Sequence, residues 1–271
     1  MYSGSTFRTK SGRMMGVHQR IDRLARRHLM PHLPRKLYFP SSHDILHFEG
    51  MNGPDGIKRK SPGVDEPWHF IDPTELGDHQ LFDMINDHIL NLRTALYGDN
   101  YERAAFEAAW LAHAIVDGLT PAHHYPFEEK LEELRGETMD TRNSRKDKLV
   151  MPGPTRRHQL RNNWEFWGAK GLMTTHLAFE FGVASTIATL RFDTIEVTET
   201  ELAAVRDGKF EDIYRQILAS IADMDMYGEF HRAGWTRHLA TETKNVLIPM
   251  IVKAVVLGWY AATQPDEKIA S

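Results

Sequence analysis

The chain has 271 residues, of which 33 are Lys or Arg and 37 are Asp or Glu, so its net charge is −4 with His neutral. A hydrophobic content of 41% is enough for a packed core and too high for a disordered chain. The chain has no Cys, which excludes disulfide bridges and thiol nucleophiles. Its 15 His and its carboxylates are therefore the ligands available for any transition metal.

Helical patterns dominate the chain, and strand patterns are nearly absent. We expect residues 1–16 to form a disordered tail. Apolar residues at helical spacing then predict a basic amphipathic helix that starts near Val17 and includes His28. Further helices are predicted over residues 81–96, 101–119, 171–190, 210–224 and 235–262.

Two of these predictions rest on helix boundary signals. Thr198 and Glu201 form a capping box, which predicts a short helix that ends at Gly208. The final helix is predicted to be buried and to kink near Pro249, because proline interrupts the helical hydrogen-bond ladder.

Two segments predict irregular structure. Residues 50–75 are rich in Gly and Pro and predict a long structured loop. Residues 135–163 are rich in Arg and Lys and predict a mobile basic loop excursion. No repeat and no linker divides the chain, so we predict a single all-α domain over residues 1–271.

The sequence also gives an expectation about location. No apolar run near the N-terminus has the length of a secretory signal. The longest apolar stretch, 246–262, contains Pro249 and Lys253 and is short for a membrane span. We therefore expect a cytoplasmic protein.

Two predicted helices place a His and an acid on one face. His113 and Asp117 are four positions apart on the central helix, as are His176 and Glu180 on a later one, and His123 follows the central helix. A single pair of this kind is usually an ion pair or a core hydrogen bond. Two pairs on apolar helices favour a metal site, because a divalent cation neutralises buried carboxylates.

These residues resemble the ligands of the zinc-dependent phospholipase C and S1/P1 nuclease superfamily, and the phospholipase C branch is the closer one. The similar stretches are His113-x3-Asp117-x3-Pro121-x-His123, His176-x3-Glu180 and Trp68-His69-Phe70-Ile71-Asp72-Pro73, together with Asp55 and His18. The resemblance implies a multi-helix domain of the phospholipase C/P1 nuclease type with a zinc cluster.

The resemblance also implies how the ligands divide among the ions. One zinc would be bound by Asp55, His69, His113 and Asp117. A second would be bound by His123, His176 and Glu180. A third would be bound by His18 and share Asp117 as a bridge. We expect two Zn²⁺ ions and leave the third open, because the family uses an N-terminal Trp that this chain lacks. Alternative ligands for the third zinc are the chain's amino group, His43 and His47. Structural roles are the commoner interpretation of these two His.

Such a cluster supports phosphodiester hydrolysis by metal-activated water. The resemblance implies a phospholipase C-like enzyme acting on a phospholipid head-group ester, and we assign Asp55 as its general base. An S1/P1-like single-strand nuclease, with nucleic acid as substrate, is one alternative. A catalytically impaired metal-binding helical protein is the other.

Residues near the ligands suggest what sets the substrate. Tyr125 and Phe127 follow the ligand turn and are predicted to line the substrate pocket. The basic residues of 135–163 either attract phosphate head groups, a membrane surface or nucleic acid, or form a solvated loop. Trp164 and Trp167 are predicted to be core residues, with an aromatic wall near the metals as the alternative.

Overall fold

We analysed a computed structural model, which describes residues 16–50, 53–60, 70–75, 78–188, 190 and 195–265. The predicted tail therefore lies outside the described residues, except for Gly16, as does much of 50–75. The described ranges are mostly helical and contain no β-strand, which confirms the all-α class.

The described ranges contain fourteen α-helices. In chain order the helices are α1 (Val17–Leu29), α2 (Ser42–His47), α3 (Pro54–Lys60), α4 (Gln80–Tyr97), α5 (Tyr101–Gly118), α6 (Phe127–Arg135), α7 (Arg145–Leu149), α8 (Arg156–Trp167), α9 (Leu172–Ile187), α10 (Glu199–Arg206), α11 (Phe210–Ala222), α12 (Met226–Ala233), α13 (Arg237–Glu242) and α14 (Ile248–Ala262).

Helix α5 lies at the centre and packs against α1, α2, α4 and α14. Its many alanines are buried, and such small side chains let neighbouring backbones approach closely on several sides. The contact with α14 includes a hydrogen bond from Trp259 Nε1 to the carbonyl of Ala108, at 2.9 Å. A central helix packed on several sides can place its polar residues inside the core.

The C-terminal helical stretch is a core element. Arg237–Ala262 is long and apolar enough to cross a membrane by length and composition, but 72% of its apolar window is buried inside the protein. A π-helical turn, Thr243–Leu247, interrupts the stretch just before Pro249. Because proline has no N–H to donate, the preceding turn widens here, where the sequence predicts a kink.

The other predicted helices agree with the structure within a few residues at each end. The Thr198–Glu201 capping box forms as predicted at the start of α10. Gly208, which follows α10, has a φ of 81°, a left-handed value that favours glycine over other residues.

The prediction of a basic loop over 135–163 is wrong, because α7 and most of α8 lie within it. Phe127, Leu131, Met151 and Phe166 form a separate hydrophobic cluster that holds this region together. Two of its basic residues, Arg135 and Arg142, are themselves buried. Residues 50–75 likewise contain a helix, α3.

The prediction that Trp164 and Trp167 are core residues is also wrong. Trp164 is 72% exposed and Trp167 is 40% exposed. Helix α8 turns a different face inward: Phe166 is fully buried, and Asn162 and Asn163 bond to backbone carbonyls beneath the helix. The side-chain amides of Asn162 and Asn163, together with Phe166, therefore attach the inner face of α8, and the two tryptophans lie outside it.

The close contact between α14 and α5 generates a stability prediction. A Cβ added at Gly258 would lie 2.6 Å from Ile115 Cδ1 and 3.2 Å from Phe210 Cζ. Helix propensity alone favours Gly→Ala by about 1 kcal/mol, but overpacking a core costs about 1–3 kcal/mol. We expect Gly258→Ala to lower the free energy of unfolding, measured by urea denaturation. An increase would show that the side chains between α14 and α5 can move to accommodate the added methyl group.

Candidate metal centre

The N-terminal helix and the central helix bring two imidazoles and a carboxylate together. The rings of His18 on α1 and His113 on α5 stack with centroids 4.2 Å apart. Asp117, one turn after His113, lies between their nitrogens: its Oδ1 is 3.0 Å from His18 Nε2, and its Oδ2 is 3.2 Å from His113 Nε2. All three side chains are buried, with at most 2% exposure.

The segment from α2 to α3 reaches His113 from two sides. Glu49 Oε1 lies 2.9 Å from His113 Nδ1. Gly50 follows with a φ of 69°, a left-handed value that favours glycine. The first turn of α3 then places Asp55 Oδ1 at 3.8 Å from His113 Nε2. The two ring nitrogens of His113 therefore face different carboxylates.

A second group forms where the turn after α5 meets α9. His123 ends a short 3-10 turn, Pro121–His123. Glu180 Oε1 is 3.4 Å from His123 Nε2 and 3.1 Å from His176 Nε2. His176 and Glu180 share one face of α9, as their spacing predicts, and both are buried.

The two groups are adjacent. His123 Nδ1 lies 3.9 Å from Asp117 Oδ2, so Asp117 is within 4 Å of imidazoles from α1, α5 and the turn after α5. The structure thus brings together every predicted ligand that it describes. His69 is outside the described residues.

Two acidic residues at this site escaped the sequence prediction, Glu49 and Asp22. Asp22 is 2% exposed, and neither of its carboxylate oxygens makes a hydrogen bond. Burial and the neighbouring Glu49 carboxylate raise the pKa of Asp22 well above its usual value. Asp22 follows His18 by four positions, which is the spacing of the other two pairs, whereas nothing local in the sequence marks Glu49.

The charges of the first group compensate one another. Burial lowers the pKa of His113, but the carboxylates of Glu49 and Asp117 outweigh it and raise the pKa to about 10. Burial opposes ionisation of Asp117, yet neighbouring charged groups, His113 among them, hold its pKa well below the usual range. Without a cation, this group therefore keeps an ion pair inside the core.

The second group has a different balance. Burial lowers the pKa of His123 to about 4, so its ring is neutral near pH 7 and able to bind a cation. Burial raises the pKa of Glu180, but neighbouring positive charge, including that of His176, brings it well below the usual range. A neutral imidazole beside an ionised carboxylate is a ligand set that suits zinc.

Both groups have the composition and spacing of metal sites. Within each group, His18–His113–Asp117 and His123–His176–Glu180, one ligand atom from every member lies within 4.8 Å of the others. The Nδ1 atoms of His18 and His176 are buried and make no hydrogen bond. Because an unsatisfied buried polar atom is costly, cation binding would remove part of that cost.

The remaining predicted site residues occupy different surroundings. Phe127 is buried, and its ring lies 5.3 Å from that of His176, so it packs directly against the second group. Tyr125 instead packs against Tyr227 and His231. The side chain of His43 is 84% exposed and lies beside Asp44, which excludes it as a buried ligand.

A third set of possible ligands lies near the surface. Glu229 on α12 and Glu242 on α13 flank His238, with His238 Nδ1 at 2.9 Å from Glu229 Oε2. The side chain of His238 is 65% exposed. Hydrogen bonding to Glu229 and the charge of Glu242 raise the pKa of His238, so this set is explained as a surface ion-pair cluster.

Comparisons with protein-family models, curated proteins and solved structures give no match for this chain. The assignment of the site therefore rests on its geometry.

The contact between Glu49 and His113 generates a prediction about metal affinity. A carboxylate that accepts the Nδ1 proton fixes the imidazole with Nε2 free to bind a cation. We expect Glu49→Gln to weaken Zn²⁺ binding about 10- to 100-fold, as losses of such partners typically do. Competition with a chromophoric chelator measures the affinity.

Glu107→Gln is the matched control for this experiment. Glu107 is fully buried on the same helix but pairs with Arg103 and His88. Its replacement should leave zinc affinity within about twofold if only contacts at the site matter. Equal weakening in both variants would remove Glu49 from the site.

His124 generates a prediction about pH. Burial lowers the pKa of His124 to about 4, although the hydrogen bond from its Nε2 to the Gly118 carbonyl opposes this shift. Between pH 6.5 and 4 the unfolded chain therefore binds a proton that the folded chain does not, so stability falls as the pH falls.

We expect His124→Gln to reduce this pH dependence by up to about 1.4 kcal/mol per pH unit. Urea unfolding of the chelator-treated protein at a series of pH values measures the slope. His43→Gln controls for the loss of an exposed imidazole. An unchanged slope in His124→Gln would mean that His124 titrates alike in both states.

Proposed function

We propose that this protein is a zinc-dependent phosphodiester hydrolase of the phospholipase C type. The main support is the position of Asp117, which lies within 4 Å of His18, His113 and His123 and so links two adjacent His–carboxylate groups. Adjacent metal sites that share a carboxylate are suited to holding both the attacking and the leaving oxygens of a phosphodiester.

Each residue of the first group has a distinct role in this proposal. Zinc bound here would supply a water of lowered pKa and positive charge for the phosphate oxygens. Glu49 accepts the Nδ1 proton of His113 and so directs Nε2 toward Asp55 and Asp117. The side chain of Asp55 is 29% exposed, unlike the buried Asp117, so Asp55 is the carboxylate placed to take a proton from water.

The second group and its aromatic neighbours would bind the other side of the phosphate. His123 and His176 stand with ring centroids 5.1 Å apart, and Phe70 stacks on His123 at 4.7 Å. Phe127 packs against both Phe70 and His176. This aromatic wall suits a substrate that carries an apolar or aromatic portion beside its phosphate.

Hydrolysis assays with matched variants test this proposal. We expect zinc-dependent, chelator-sensitive cleavage of phosphatidylcholine in mixed micelles, and little cleavage of single-stranded DNA. Asp117→Asn should lower both zinc content and turnover, the latter by at least about 100-fold, because a direct ligand is lost. His124→Ala should retain both, because that ring bonds to the Gly118 carbonyl.

The assays also separate the alternatives. Preferential cleavage of single-stranded DNA would support the S1/P1-like nuclease instead. A zinc-loaded protein that cleaves neither substrate nor a nitrophenyl phosphodiester would support the catalytically impaired metal-binding protein. Equal zinc content in Asp117→Asn and the unaltered protein would remove Asp117 from the centre.

A further inference from the structure

Helix α8 carries a row of large apolar side chains in solvent. Leu160 is 73% exposed, Trp164 72% and Trp167 40%. Their spacing of four and three positions places them on one face of the helix. Leu149 extends this row, because Trp167 Nε1 donates a hydrogen bond to its carbonyl at 2.7 Å and its side chain is 56% exposed. Exposed apolar rows of this kind usually mark an interaction surface.

The opposite face of α8 is firmly attached to the protein. Phe166 is fully buried in the cluster that also holds Phe127 and Met151. Asn162 Nδ2 bonds to the carbonyls of both Leu134 and Pro152. The outward row is therefore presented by an anchored helix and is not the result of a loosely packed one.

Exposed arginines surround this row. Arg156 and Arg157 begin α8, and Arg161 follows one turn later. The only acidic residue of the helix, Glu165, pairs with Arg161 at 2.9 Å. The first turn of α8 contains no acid, although the helix dipole favours acids there and disfavours cations. Arg156 and Arg157 therefore do not stabilise the helix through its dipole, whereas their charges suit an anionic partner.

We propose that this aromatic–basic face of α8 (Arg156, Arg157, Leu160, Arg161, Trp164 and Trp167) docks on an anionic lipid bilayer. Tryptophan favours the boundary between lipid tails and head groups. Guanidinium groups bind phosphate through paired hydrogen bonds. A helix with apolar and cationic side chains on one side and low overall hydrophobicity is suited to lying in that boundary.

The adjacent helix connects this face to the candidate metal centre. Helix α8 packs on α9, which buries His176 and Glu180 and exposes Leu177 and Phe181. A helix is about 10 Å thick, so a bilayer reached by α8 would lie near the second ligand group. Docking itself does not depend on hydrolysis, and it can be measured on the metal-free protein.

Vesicle flotation of the full chain tests the proposal. We expect binding to phosphatidylcholine vesicles that contain phosphatidylserine, much weaker binding to phosphatidylcholine alone, and loss of binding at high salt. Each arginine near such a surface contributes roughly fivefold to the affinity, so replacing Arg156, Arg157 and Arg161 together by Gln should weaken binding by about 100-fold.

Matched exposed residues provide the controls. Leu160→Ala and Trp164→Ala should each weaken vesicle binding several-fold, whereas Leu90→Ala and Tyr101→Ala, at 50% and 51% exposed positions on other helices, should not. Circular dichroism confirms that each variant is folded. The proposal is overturned if anionic vesicles are not bound at low salt, or if the control variants weaken binding as much as the α8 variants.

A third outcome concerns nucleic acid. If single-stranded DNA binds through the arginines and competes for vesicle-bound protein while Trp164→Ala has no effect on vesicle binding, the face recognises polyanions and the lipid proposal is overturned. Vesicle binding without phosphodiester cleavage supports docking and counts only against the proposed hydrolysis. Cleavage without vesicle binding supports the proposed hydrolysis and counts only against docking.

Discussion

The arrangement of the molecule depends on keeping Asp117 ionised inside a helical core. An isolated carboxylate at 2% exposure would be very costly, so it needs compensating polar partners. His113, whose pKa is raised, reaches it from the same helix, and the imidazoles of His18 on α1 and His123 beyond α5 also lie within 4 Å of it. These elements can converge only because the alanines of α5 let their backbones come close.

Two further acids are buried beside the same imidazoles. Glu49 lies 2.9 Å from His113 Nδ1, and burial together with Glu49 raises the pKa of Asp22. In the absence of an ion, the raised pKa of His113 balances part of this charge. Buried charged groups reduce stability unless they are paired, which makes this cluster the candidate functional site of the described residues.

The sequence predicted most helices and the paired ligands because both follow from the same helical period. His113 with Asp117 and His176 with Glu180 lie on apolar helices, where four-residue spacing fixes their common face. Glu49 could not be predicted in this way, since its contact with His113 joins residues 64 positions apart in the sequence. Asp22 carries the same signal, four positions after His18, but the arginines around it dominate the pattern of α1.

The prediction from composition was wrong in a segment where polar side chains attach a helix to the rest of the protein. The basic segment predicted as a loop contains α8, whose inner face is anchored by the amides of Asn162 and Asn163. The tryptophans of α8 are exposed, contrary to the usual expectation for large aromatic side chains. The family type and the reaction remain proposals, for which the described geometry supplies the support.

The 3.9 Å approach of His123 Nδ1 to Asp117 Oδ2 would couple cation binding at the two ligand groups. A dication at one group would alter the charge felt at the other through this contact. Linkage is reciprocal, so each ion would change the affinity of its neighbour by the same factor. Two bound cations would therefore be described by linked dissociation constants, with the linkage passing through α5 and the turn that follows it.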